Sequence, residues 1–140
     1  MGKPKVLFLC TTNSARSQMA EAFLKKYGGD KFEAYSAGLE PKPIHPYTEQ
    51  VMQEIGVPLT NQYSKSFREY MGKVHFAYLI TVCAEAEKNC PTTFPGVGQR
   101  LHWIFEDPAA FEGSDEEKIG KYREVRGKIE QEIKKWLKNK

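Results

Sequence analysis

Two rhythms of apolar and polar residues run along this chain. Compact apolar runs at Lys5–Leu9 and Phe76–Val82 leave little room for a solvated face, and they predict strands buried on both sides. Between them, Ser17–Tyr27 places Met19, Ala20, Phe23, Leu24 and Tyr27 at three- and four-residue intervals. That spacing predicts a helix, which Gly28 and Gly29 would end. Phe32–Ser36 reads as a further strand closed by Gly38, and Pro41 and Pro43 mark a loop. Pro46–Ile55 predicts a second helix, with proline in its first turn, Val51 and Ile55 as apolar positions, and Gly56 and Pro58 beyond its end. Ser64–Met71 and Ala84–Asn89 predict short helices, the latter stopped by Pro91. Leu101–Phe105 predicts a fourth strand. Asp115–Leu137 is long and amphipathic, with Ile119, Tyr122, Val125, Ile129, Ile133 and Trp136 along one side.

Strands alternating with helices imply an α/β fold, with a parallel sheet covered by helices on both faces. Short right-handed connections favour a flavodoxin-like, four-stranded sheet in the order 2-1-3-4. Ligands of such sheets bind beyond the carboxyl ends of the strands. Cys10 and Cys83 each follow a strand directly, and Asp107 follows the fourth, so all three are expected on one rim. The 140 residues, with no repeat, low-complexity tract or linker, predict a single domain over 1–140.

Composition narrows the function classes. The 21 basic and 18 acidic residues are intermixed and leave a net charge of +3, which is a soluble surface and not a nucleic-acid stripe. The Lys-rich end from Lys134 to Lys140 reads as a solvated helix terminus, where cations are favourable. No run approaches the ~20 apolar residues of a membrane span. The first apolar run is too short for a secretory signal core, and Met1-Gly2 lacks the following Ser or Thr of a myristoylation signal. A cytoplasmic monomer is expected. In a reducing compartment the three cysteines, Cys10, Cys83 and Cys90, read as chemistry or packing rather than as a permanent crosslink.

The chemistry concentrates at Cys10-Thr-Thr-Asn-Ser-Ala-Arg16-Ser17, between the first strand and the first helix. A loop entering a helix can aim several backbone N–H groups at one point, and the helix N-terminus adds about half a positive charge. Arg16 adds a full charge and a planar fork that grips two oxygens of an oxyanion. Thr11, Thr12, Asn13, Ser14, Ala15, Arg16 and Ser17 would thus cradle a tetrahedral anion above a cysteine nucleophile. The same charges are expected to depress the Cys10 pKa. Ser17 could donate to the thiolate or cap the helix, and Asn13 is the loop residue best suited to a left-handed backbone. The phosphate loop of nucleotide-binding proteins, Gly-x4-Gly-Lys-Ser/Thr, is absent.

Cys83 and Cys90 form a second constellation. Seven residues of helix would hold them ~10.5 Å apart along the axis. A disulfide needs Cα atoms within about 7 Å, so joining them would require the segment to bend or unwind. Their spacing is not that of a zinc site, and two unrelated cysteines remain the plainer alternative. Phe105-Glu106-Asp107-Pro108 offers a carboxyl group that could protonate a leaving oxygen, Asp107 ahead of Glu106 because Pro108 stiffens its exit, or else a simple loop-forming Asp-Pro. His45 is expected at the start of the second helix, as a capping or surface residue; His75 and His102 read as structural, and Trp103 and Trp136 as core or core-edge aromatics.

Val6 to Ala22, Tyr35-Ser-Ala-Gly38, Val82-Cys83 to Cys90-Pro91, His102-Trp103 and Glu106-Asp-Pro108 together resemble the thioredoxin-coupled arsenate reductases, which share the low-molecular-weight tyrosine phosphatase fold. The resemblance spans essentially the whole chain. It implies reduction of arsenate, with Cys10, Arg16, Cys83, Cys90 and Asp107 catalytic, thioredoxin as the reducing partner and no cofactor. Some relatives bind potassium beside the loop, through residues matching Asn13, Glu21 and Ser36 plus a carboxylate. Here that last position falls in Ser64-Lys65-Ser66, so no metal is expected and the Lys65 ammonium would replace the cation. Where relatives often have cysteine, this chain has Ala15. The competing readings are a low-molecular-weight tyrosine phosphatase working through Cys10 and Asp107, and a non-catalytic oxyanion-binding domain. In such phosphatases a tyrosine usually follows the Asp-Pro; Ala109-Ala-Phe111 follows it here.

Overall fold

A computed structural model describes residues 2–89 and 96–140, apart from the side chains at 85, 87 and 89. The expected thiol Cys90 and the helix stop Pro91 lie outside the described residues. Four parallel strands, β1 (Lys5–Cys10), β2 (Glu33–Gly38), β3 (Phe76–Thr81) and β4 (Val97–His102), form one sheet in the order β2-β1-β3-β4. The α-helices are α1 (Arg16–Gly28), α2 (Pro46–Glu54), α3 (Ala84–Asn89) and α4 (Asp115–Lys138). The fold class and strand order are those expected from the alternation.

β1 is central, in register with β2 through Leu7 and Tyr35 and with β3 through Leu7 and Leu79. Val6, Leu7, Phe8 and Leu9 are all 0 % exposed, which is why this run carries no polar alternation. Each removed completely from water contributes roughly 1.5–3 kcal/mol. Residues paired across parallel strands share a face, and neighbours along a strand do not. Tyr78, paired with Val6, meets Trp136 of α4 edge-on, whereas Tyr35, paired with Leu7, meets Tyr70 on the opposite face.

α4 buries Tyr122, Val125, Ile129, Ile133 and Trp136, the predicted stripe. Its start is fixed by a capping box: the Ser114 hydroxyl accepts from Glu117 N, and the Glu117 carboxylate accepts from Ser114 N. Glu54 at the end of α2 is gripped by Arg123 and Arg126 of α4 at 2.6 and 3.0 Å. No helix among the described residues is long and apolar enough to cross a membrane.

Two elements differ from expectation. The fourth strand runs over Val97–His102, not Leu101–Phe105. It is an edge strand whose Gly98, Gln99 and Arg100 face solvent, so it lacks the apolar run by which a buried strand is recognised. The short helix expected over Ser64–Met71 contracts to a 3-10 turn, Phe67–Glu69, capped by the Ser66 hydroxyl. The residues before it instead lie along the end of β2, where Gly38 N donates to Lys65 O at 2.8 Å and Gly38 bridges Ser66.

Candidate active site

The loop from Cys10 to Ala15 is shaped by bonds on its outer side. The carbonyl of Cys10 accepts from Leu39 N (3.1 Å), that of Thr11 from Glu40 N (2.8 Å), and that of Thr12 from Lys42 N (3.0 Å). The Asn13 carbonyl accepts from the Gln18 side chain (3.0 Å), and the Ser14 carbonyl from His45 N (3.1 Å) and the Thr48 hydroxyl (3.0 Å). A trans peptide sets the next N–H opposite to its carbonyl. With the carbonyls of 10–14 turned outward, the N–H groups of 11–15 are directed toward the concave side. The loop is thereby a nest of donors suited to an anion. Asn13 supplies the bend with φ 56°, the left-handed residue the sequence indicated. Gly38 makes the close approach possible, since a Cβ there would stand 3.0 Å from Asn13 Cβ, Asn13 N and Thr11 O.

Cys10 lies at the floor of the loop, 1 % exposed. Its Sγ accepts from Asn13 N at 3.2 Å and lies 2.8 Å from Ser17 Oγ. Asn13 Oδ1 accepts from Lys65 N (3.0 Å), so Asn13 Nδ2 is the donor to Ser17 Oγ (2.8 Å) and to Ser36 Oγ (3.0 Å). Ser17 Oγ keeps both a hydrogen and a lone pair for the Cys10 sulfur: it can donate to the thiolate or accept from the thiol. Ser36 in turn donates to the Glu21 carboxylate, which is paired with Lys25.

The depressed Cys10 pKa expected from the sequence is not what the structure produces. Burial pushes the thiol up, and it outweighs the Ser17 hydroxyl, the Arg16 charge and the Ser17 backbone N–H, all of which pull it down; nearby Cys83 adds a small push upward. The sequence showed the charges near the sulfur but not how completely solvent is excluded from it.

Arg16 is 6 % exposed and its guanidinium reaches across the rim. Nη1 donates to Phe105 O at 3.2 Å and Nη2 lies 3.7 Å from Asp107 Oδ2. Asp107 also accepts from Ala109 N (3.0 Å), capping a 3-10 turn at Pro108–Ala110. Glu106, the runner-up acid, points away and pairs with Lys121 at 2.8 Å.

Cys83 arrives at the same rim because the sheet bonding continues past the strand ends. Val82 N donates to Leu9 O (3.0 Å) and Phe105 N to Val82 O (3.2 Å). The Cys83 thiol is 0 % exposed, lies 3.4 Å from the Thr11 hydroxyl, and accepts from Ala86 N in the first turn of α3. Thus Cys10, Arg16, Cys83 and Asp107 converge, with Thr11, Thr12, Asn13, Ser14, Ala15 and Ser17 around them.

Lys65 occupies the position where the family resemblance raised a cation. Its ammonium donates to Ser36 O at 3.0 Å and stands 4.5 Å from the centre of the Tyr63 ring. Burial pulls its pKa down while Glu21 and Glu69 hold it up. A monovalent cation beside Glu21 and Ser36 would lie against this ammonium, so the residues present do not fit one. Sequence reasoning missed the supports outside the loop: Gln18, Thr48, Ser64 and the backbone of 39–42. Single polar residues scattered along a chain carry no spacing that marks them as partners of one loop. Only Pro41 and Pro43 hinted at a segment held in fixed shape.

The model of the low molecular weight phosphotyrosine protein phosphatase family matches residues 5–140. An arsenate reductase of Halalkalibacterium halodurans is 44% identical over 135 residues, covering 96% of this chain and 95% of its own length. Among solved structures, an arsenate reductase in the phosphate binding state has a TM-score of 0.77 at 28% identity, over 97% of this chain and 98% of that one. A thioredoxin-dependent arsenate reductase from Corynebacterium glutamicum has a TM-score of 0.66 at 30% identity, over 99% of this chain and 64% of that one.

Proposed function

We propose that this chain, which belongs to the low molecular weight phosphotyrosine protein phosphatase family, reduces arsenate to arsenite through a relay of its three cysteines. The observation that carries this reading is the second buried thiol. Cys83 shares the rim with Cys10 and is joined through Thr11 to the loop that would hold the oxyanion. Hydrolysis alone has no use for it. The named arsenate reductase relatives supply the substrate.

Arsenate sits among the N–H groups of 11–15, and the Arg16 fork takes two of its oxygens. The entering dianion takes the Cys10 proton. Cys10 Sγ then attacks arsenic, and an oxygen leaves as water, protonated by Asp107. Cys83 attacks the Cys10 sulfur. A Cys10–Cys83 disulfide forms, the As–S bond breaks toward arsenic, and arsenite departs with two electrons. Cys90 attacks Cys83 and releases Cys10 as thiolate, leaving a Cys83–Cys90 disulfide for the thioredoxin dithiol to reduce. The reaction places the protein in the cytoplasm, where such a dithiol is kept reduced.

The test is Cys83→Ser. It should abolish arsenate turnover in the presence of thioredoxin and thioredoxin reductase, yet spare slow hydrolysis of a small aryl phosphate. Full arsenate turnover by that variant would overturn the relay. A tyrosine phosphatase is the second reading, because Cys10, Arg16 and Asp107 suffice for hydrolysis. Efficient phosphatase activity without arsenate reduction in the unmodified protein would establish it instead.

A further inference from the structure

Tyr122 carries the one buried side-chain polar atom, among the described residues, that has no hydrogen-bond partner. The residue is 1 % exposed, and its ring packs against His45, the N-cap of α2, and Tyr47 in its first turn, with centroids at 5.1 and 5.6 Å. A buried hydroxyl with no partner is costly, and such an exception calls for an explanation. Tyr122 lines a pocket of about 190 Å³ that is also lined by Pro108 and Ala109, in the turn that Asp107 caps. It is close enough to Asp107 and Arg16 to feel both charges.

The bonds of Asp107 explain why a spare donor would stand there. The carboxylate has the Ala109 N–H and a loose 3.7 Å pair with Arg16. When Arg16 turns its fork to a bound oxyanion, Asp107 loses that partner at the moment it must give up a proton and become negative.

We infer that Tyr122 is a positioning residue for Asp107: its phenolic O–H takes over from Arg16 as the second donor to the carboxylate in the substrate-bound enzyme. The pocket between Tyr122 and the Pro108–Ala109 turn gives the acid loop room to close that distance. The inference rests on the reading of Asp107 as the acid. The same pocket is lined by His45, the N-cap of α2, by Tyr47 of α2 and by Lys118 of α4, and Glu106 beside Asp107 is held by Lys121. Tyr47 is bonded to Asp115, and burial pulls the His45 pKa down, with the Lys118 charge adding to it.

The experiment measures single-turnover loss of free thiols as a function of arsenate concentration, which needs no external reductant. Tyr122→Phe should lower the plateau rate about tenfold, as expected for a hydrogen bond to a charged group. The arsenate concentration at half-maximal rate should stay where it is, because the substitution slows the step the acid assists and leaves the oxyanion's own contacts in place. Thermal stability should be unchanged or raised, since only an unpartnered hydroxyl is deleted. In an Asp107→Asn chain the same substitution should have no further effect. If Asp107→Asn is slow while Tyr122→Phe matches the parent in plateau rate, this inference is wrong and the acid reading stands. If Asp107→Asn retains the parent rate, both fall.

Discussion

Cys10 is pulled in opposite directions by its surroundings. Burial favours the thiol; Ser17, Asn13 N and Arg16 favour the thiolate. Removing the strongest opposing group should therefore raise the pKa further. In a chain carrying Cys83→Ser and Cys90→Ser, alkylation of Cys10 by iodoacetamide should rise with pH through a midpoint above that of a free cysteine, and Ser17→Ala should shift it higher still. An unmoved midpoint would mean that the Ser17 hydrogen does not point at the sulfur. At this scale the sequence was informative about identity and silent about environment. Cys10, Arg16 and Ser17 sit at fixed spacing within one loop, and the left-handed Asn13 follows from its backbone preference. Burial depends on the rest of the fold: Val82, which bonds the Leu9 carbonyl, and Phe105, whose carbonyl holds Arg16, come from far along the chain. Tyr122 was legible only as a member of the α4 stripe, because nothing local distinguishes a packing tyrosine from one whose hydroxyl lacks a partner.

Elements were legible where burial is two-sided or one-sided in a regular way. β1 reads as an unbroken apolar run, and α4 as an apolar stripe over Asp115–Leu137. β4 was displaced because edge strands need no apolar run, and the Ser64–Met71 helix was lost because those residues serve β2 and the loop instead. The α2–α4 contact yields a pH prediction. Arg123 and Arg126 hold the Glu54 carboxyl at about 2, below its ordinary 4.5. A depressed acid stabilises the fold above its ordinary value, and the stabilisation is lost as the pH falls toward the folded one. Glu54→Gln should therefore lower Tm at pH 7, and the gap to the parent chain should close between about pH 4.5 and 2. A gap that persists unchanged at pH 2 would assign the effect to packing.

For the molecule as a whole, the order β2-β1-β3-β4 follows from alternating elements joined by short right-handed crossovers, and the convergence of Cys10, Cys83 and Asp107 follows from that order. What the alternation could not reveal is how deeply the reactive strand is set. β1 is flanked by β2 and β3 along its length, so its amides are hydrogen-bonded on both sides, while β4 lies at the edge of the sheet formed by the described residues. Hydrogen–deuterium exchange should accordingly divide the sheet. Leu7, Phe8 and Leu9 should exchange only when the entire protein opens, whereas the outer amides of β4 should exchange through local fluctuations well before that. Equal exchange in the two strands would contradict it. A strand that opens last keeps the nucleophile's anchorage closed for as long as any of the native sheet survives, and local breathing at the β4 edge leaves it undisturbed.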